Sequence, residues 1–238
     1  MLGPIPMLGP IHQDQAYHRF ADGRAWLGVA NFADVASSFA FVLIGLVGLW
    51  LLWRSPAGRF SGPDEGRAYG WFFWAVAATG IGSAYYHLAP DDARLAWDRL
   101  PIAVAFMCLL SALIAERLRI APGPTLLAVL ALLGAASVLY WMAFDDLRPY
   151  LLVQFGSLVA IVALCAWLPS RYSHGWVIFA VAALYGLAKG CEFRDPAIYA
   201  LTGGTISGHT LKHLVSAVAV AALLWWLAFR QAASAGHG

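Results

Sequence analysis

Charge is scarce in this chain. Only 12% of its 238 residues are Asp, Glu, Lys or Arg, whereas 61% are hydrophobic, a balance too apolar for a soluble domain of this length. With a net charge of +2 and no basic cluster interleaved with aromatics, nothing suggests a nucleic-acid partner. The three cysteines, Cys108, Cys165 and Cys191, lack CxxC spacing and fall in apolar stretches. They are expected as small core or lipid-facing residues, not as a disulfide framework or a metal site. From Met1 to Ile11 there is no basic n-region and no cleavable pattern, so no signal peptide is expected and the first apolar helix directs insertion. Met1–Pro6 is partly echoed by Met7–Ile11, a local duplication to which no function is assigned.

What the chain has in abundance is apolar runs of about 20 residues, the length that crosses a bilayer. Seven are readable: 34–53, 69–88, 97–116, 123–144, 150–168, 174–191 and 208–229. Loops between them are short and hold most of the charge. The expectation is one all-α domain over 1–238, an integral membrane bundle of seven transmembrane helices, with 1–33 as an extramembrane N-terminal segment.

Orientation follows from basic residues in the loops. One side carries Arg54, Arg59, Arg67, Arg117, Arg119, Arg171 and Arg230, the other Arg19, Arg24, Arg94, Arg148 and Arg194. The larger set marks the cytoplasmic side, which leaves the N-terminus outside and the C-terminus inside.

Polar residues inside such spans are costly and mark function by default. His209 and His213 stand one helical turn apart at the start of the last span, so they share a face. His87 ends the second span, Ser83 precedes it by one turn, and Asp98 opens the third. In the seven-span reading all five lie toward the outer face. Three imidazoles suit a zinc ion that keeps one position open for water, and apolar burial favours the neutral rings a metal needs. Asp98 suits a general base or a partner that orients a ligand; it also has Arg94 and Arg99 within one turn as salt-bridge partners. Ser83 suits an oxyanion donor or a bond back to its own helix, and Gly80 and Gly82 beside it point to close helix packing.

Other polar residues leave more than one reading open. Asp22, Asn31 and Asp34 offer oxygens to a hard cation such as calcium, although the spacing is not that of an EF-hand and helix capping accounts equally well for Asn31 and Asp34. Lys212 lies between the two histidines but is expected about a quarter turn off their face. It can snorkel, pair with Glu192 or Asp195, or meet a substrate head group. Lys189 lies in similarly apolar surroundings.

Ser83-x3-His87, Asp98 eleven residues later, and His209-x3-His213 at the start of the last span resemble the signature of the alkaline ceramidase family. That family belongs to the CREST superfamily of seven-helix membrane hydrolases, which also takes in the adiponectin and progestin receptor group. The resemblance spans most of the chain. It implies a zinc amidase that cleaves the N-acyl bond of ceramide or a related lipid amide, giving a sphingoid base or amine and a fatty acid. His87, His209 and His213 would hold the zinc, Asp98 would handle the proton of water, and Ser83 would stabilise the oxyanion. The family also has a calcium site in its N-terminal segment and first helix, a region where Asp22, Asn31 and Asp34 lie here without the full acidic run of eukaryotic members. Short loops look more like a bacterial member, for which an inner-membrane location and a substrate other than ceramide are expected.

Other classes use some of the same residues. A receptor-like relative of that superfamily would share the zinc histidines, but with a longer cytoplasmic N-terminal region and the opposite orientation. A b-type haem electron carrier uses paired histidines on separate helices and leaves one histidine and Asp98 without work. A retinal photoreceptor would use Lys212 with Asp98 as counter-ion, although that lysine lies near the start of its helix. Oligomeric state is not readable.

Overall fold

The computed structural model describes residues 9–55 and 59–232. Most of the Met1–Pro6 and Met7–Ile11 duplication lies outside them. Among the described residues the regular structure is helical, with two isolated β-bridges and no named strand. The helices are α1 (Phe32–Arg54), α2 (Pro63–Leu88), α3 (Asp92–Leu118), α4 (Gly123–Phe144), α5 (Arg148–Trp167), α6 (Val177–Phe193), α7 (Asp195–Leu201) and α8 (Gly208–Phe229). A 3-10 turn, Gln15–His18, interrupts the N-terminal segment.

Each of the seven expected runs falls within or largely overlaps one long helix. Five of these helices, α1, α3, α4, α5 and α8, are long and apolar enough to cross a membrane. The other two fall short for visible reasons. The apolar run of α2 is diluted by Trp, Tyr, Gly, Ser, Thr and His, and the helix begins six residues before that run, at Pro63, where proline at N1 and the acids Asp64 and Glu65 favour a start. α6 has only 17 residues.

Side chains facing out are predominantly apolar: Leu43, Leu46, Trp50, Leu132, Val159 and Val218 are all exposed. A surface of that kind is matched by lipid, and it makes this a multi-pass membrane protein in character. Trp53, Trp167 and Trp176, also exposed, stand at or beside the ends of α1, α5 and α6, where interfacial aromatic residues are favoured.

Six helices form a ring in the order α1, α2, α3, α5, α6, α8, and α8 returns to α1; α4 packs outside against α3. Small residues set the tightest seams. A Cβ on Gly82 would meet the Trp97 carbonyl oxygen of α3 at 2.1 Å, and one on Gly80 would meet the Ser38 carbonyl oxygen of α1 at 2.7 Å. The close packing expected at both glycines is therefore present. Pro101 sits inside α3 and has no N–H for the Trp97 carbonyl one turn back, and Gly82 of α2 packs over that same carbonyl. Asp98 is carried into the ring at this seam.

The ring encloses a cavity of about 170 Å³. Its deep part is lined by Phe41, Phe72, Leu109, Ile161 and Leu223, while Ser83, Asp98, Arg99, Lys189, Glu192, Lys212 and His213 line its polar part. A π-helical turn, Leu152–Gly156 in α5, brings in Gln154, whose amide donates to the Tyr185 hydroxyl at 2.7 Å. Such turns recur at functional sites.

A candidate metal centre

Three buried histidines meet at the polar end of the ring. The C-terminal turn of α2 delivers His87, and the first two turns of α8 deliver His209 and His213. Ser207 caps α8, its hydroxyl accepting from the Thr210 N–H at 3.0 Å, so the helix starts where both imidazoles point the same way. Gly208 lets this start press against α6 and α7, since a Cβ there would meet the Cys191 carbonyl oxygen at 2.2 Å. Asp195 accepts from the His209 N–H at 2.9 Å, placing a carboxylate at the positive end of the helix.

One potential ligand atom from each ring lies within 4.8 Å of the other two, and the ring centroids are 4.8 to 5.0 Å apart. Among the described residues this is the one His, Cys, Asp or Glu group that could hold a metal ion. His87 is fully buried, and neither of its ring nitrogens has a hydrogen-bond partner. A buried imidazole left wholly unpaired is expensive. A cation accepting its lone pair removes part of that cost, so the residues present fit a metal.

Surrounding groups orient the rings. Ser37 Oγ lies 2.8 Å from His213 Nδ1, and Ser83 Oγ lies 3.5 Å from His213 Nε2. Ser38 Oγ lies 3.0 Å from Ser83 Oγ and donates its own proton to the Asp34 carbonyl at 2.7 Å, so Ser83 is tied to α1 and to His213. The Asn31 amide donates to the His87 carbonyl at 2.8 Å and secures the end of α2.

Asp98 is buried on the same cavity wall as Ser83 and His213. It forms neither of the salt bridges its neighbours offered: Arg94 pairs with Asp91 and donates to the Ala89 carbonyl, and Arg99 stacks among aromatic rings. The carboxylate is thus left without an ion pair at the cavity, where it has Ser83 as its hydrogen-bond neighbour.

Lys212 makes the pairing with Glu192 that the sequence offered and, beyond it, reaches His209. Its Nζ lies 2.8 Å from His209 Nε2 and 3.2 Å from Glu192 Oε1. A four-carbon stem bends back across the quarter turn that its Cα position implies. Glu192 also receives Lys189 Nζ at 2.7 Å and the Tyr17 hydroxyl at 2.9 Å.

Asp22, Asn31 and Asp34 each have an occupation of their own. Arg24 donates to both oxygens of Asp22 at 2.7 Å and holds this carboxyl below the usual carboxylate range. Asp34 Oδ1 accepts from the Thr210 hydroxyl at 2.6 Å, linking α1 to α8. Asn31 sits at the N-cap in a left-handed conformation but makes no side-chain cap bond; the capping expected of it gives way to the bond with His87. A calcium ion using Asp22 would have to displace the Arg24 guanidinium.

Sequence reasoning missed the lid. The N-terminal strap crosses the site, and the Phe20 ring lies 4.7 Å from that of His87 and 4.5 Å from that of His209. His18 holds Tyr86 and Asp92 at 2.9 and 3.0 Å, and the Ala21 N–H donates to Asp195 at 2.9 Å. Burial pushes the Tyr17 hydroxyl above its ordinary range, so it remains a donor to Glu192. An aromatic pair inside a polar N-terminal segment was the signal available.

No protein-family model and no curated protein matches the chain.

Proposed function

We propose that the protein is a zinc-dependent amidase of the membrane, cleaving the N-acyl bond of ceramide or a related lipid amide. In this reading all seven long helices cross the bilayer, with the N-terminus outside and the C-terminus in the cytoplasm. The single observation that carries it is the buried histidine triad, whose His213 lines an apolar cavity together with Ser83 and Asp98, a carboxylate without an ion-pair partner among the described residues. The resemblance of Ser83, His87, Asp98, His209 and His213 to the alkaline ceramidase signature supports the same reading.

His87, His209 and His213 would hold the zinc. When bound, zinc supplies Lewis acidity toward a carbonyl oxygen and brings the pKa of water near 7. The chain's own groups do the rest. The apolar depth of the cavity takes the acyl chain and leaves the amide beside Ser83 and His213. The Asp98 carboxylate takes the proton of the attacking water and returns it to the departing nitrogen. Ser83, positioned by Ser38, donates to the oxygen that gains charge. Phe20 packs against His87 and His209, and Tyr17 lines the cavity beside Glu192; both lower the local polarity, which strengthens these interactions.

The choice of a hydrolase over a haem carrier rests on the third histidine and on Asp98, for which a two-ligand haem has no use. The test is fatty-acid release from a ceramide and lipid-amide panel by purified protein. Release that disappears in Asp98→Ala while the zinc content stays at the wild-type level supports the amidase. No release from any amide, or full release by Asp98→Ala, overturns it.

A further inference from the structure

Three arginines are buried among the described residues: Arg99, Arg117 and Arg230. Arg117 has Glu116 and Arg230 has Glu65 as carboxylate partners. Arg99 has none. Its guanidinium is held only by aromatic faces, 5.4 Å from the Tyr17 centroid, 4.5 Å from Trp141 and 5.0 Å from Tyr150. Its Nη1 is buried without a hydrogen-bond partner, and the residue lines the cavity.

The charges that line the cavity do not balance among themselves. Arg99, Lys189 and Lys212 line the cavity against Asp98 and Glu192, an excess of one positive charge with the histidines neutral. Glu192 is already shared by Lys189, Lys212 and Tyr17. Lys189 has three N–H donors and uses one on it. A divalent ion on the triad would raise the excess further. Charge of one sign held away from water is costly until a counter-charge enters.

We propose that the substrate carries an anionic group on its amine half, in the simplest case the carboxylate of an N-acyl amino acid, held by Arg99 and Lys189. For the amide itself this rests on the amidase reading; for the anion it rests on the charges of the cavity. The apolar depth is suited to the acyl chain, which leaves the polar end, where Arg99 follows Asp98, for the amine half. A carboxylate offers two coplanar oxygens to a guanidinium whose rings already fix its plane. The hydroxyls of a sphingoid base are neutral and offset none of the excess.

The test compares N-palmitoylglycine with N-palmitoylethanolamine, matched in acyl chain and differing in the carboxylate, on zinc-loaded full-length protein in a neutral detergent. Binding is read by stopped-flow tryptophan fluorescence before turnover, and fatty-acid release is read in parallel. The glycine amide is expected to bind at least about ten-fold tighter, with the ratio falling toward one in Arg99→Gln and in Lys189→Gln. Should Arg99→Gln fail to fold, Lys189→Gln carries the same expectation. Equal binding of the two amides, or a ratio that survives in the folded variants, overturns the anion site whether or not fatty acid is released. A carboxylate preference that the variants lose, without release from either amide or from the ceramide panel, supports the anion site and overturns the amidase.

Discussion

Ser37 Oγ lies 2.8 Å from Nδ1 of His213 and also donates to the Asp34 carbonyl at 3.1 Å. A hydroxyl has one proton to give. Since that proton goes to Asp34, Ser37 accepts from His213, and the ring carries its proton on Nδ1. The lone pair of Nε2 is thereby turned toward His87 and His209, the tautomer a metal ligand needs.

Ser37→Ala removes this control, and zinc affinity should fall roughly 10- to 100-fold, as for other groups that orient a ligating histidine. Competition against a chelator of known affinity measures it. Affinity equal to wild type would show that Ser37 does not set the ring.

Lys212 acts in the opposite sense. Its ammonium lies 2.8 Å from His209 Nε2, where it competes with a metal for the same lone pair and repels a dication. Lys212→Met should tighten zinc binding by roughly ten-fold. Looser binding would make this lysine a support of the metal site.

Gly82 governs whether Asp98 reaches the cavity. In Gly82→Ala the added Cβ would meet the Trp97 carbonyl oxygen at 2.1 Å, and a backbone atom cannot swing aside. Loss of about 1–3 kcal/mol of stability is expected, with turnover falling alongside the melting temperature. An unshifted melt with full turnover would mean that the α2–α3 seam is looser than this.

Acid should loosen the strap. Hydrogen bonds from Arg148 hold the Asp146 carboxyl down to about 2, and Asp146 also accepts from the Ile11 N–H at 3.2 Å. A carboxyl lowered in the folded state contributes stability that is present above its unfolded pKa, about 4, and lost as pH falls toward the folded value. The melting temperature should therefore drop between about pH 4 and pH 2 by less in Asp146→Asn than in wild type. Parallel curves would remove Asp146 from the anchoring of the strap.

How much of this was legible in the sequence varies with the distance a contact spans. His209 and His213 were readable as a pair because one turn of a helix fixes their shared face, and Gly80 and Gly82 announced tight seams on α2. That His87 would meet the pair depends on the end of α2 lying beside the start of α8, which periodicity in either helix does not contain. Phe20, Tyr17 and Ser37 escaped notice for the same reason: each acts on residues far along the chain. Arg99 looked like a partner for Asp98 on spacing alone, but three aromatic rings from the N-terminal turn, α4 and α5 claim its guanidinium. The Lys212 pair with Glu192 was among the readings left open, whereas its reach to His209 was not, because a long stem need not follow the direction of its Cα.

The most direct measurement is the metal content of the purified protein, by plasma mass spectrometry, in wild type and in His87→Ala and His209→Ala. A zinc centre built by these rings predicts about one zinc per chain in wild type and a clear loss in each variant at unchanged helix content. Wild-type protein that holds no zinc, or variants that keep all of it, would contradict the centre and the chemistry derived from it.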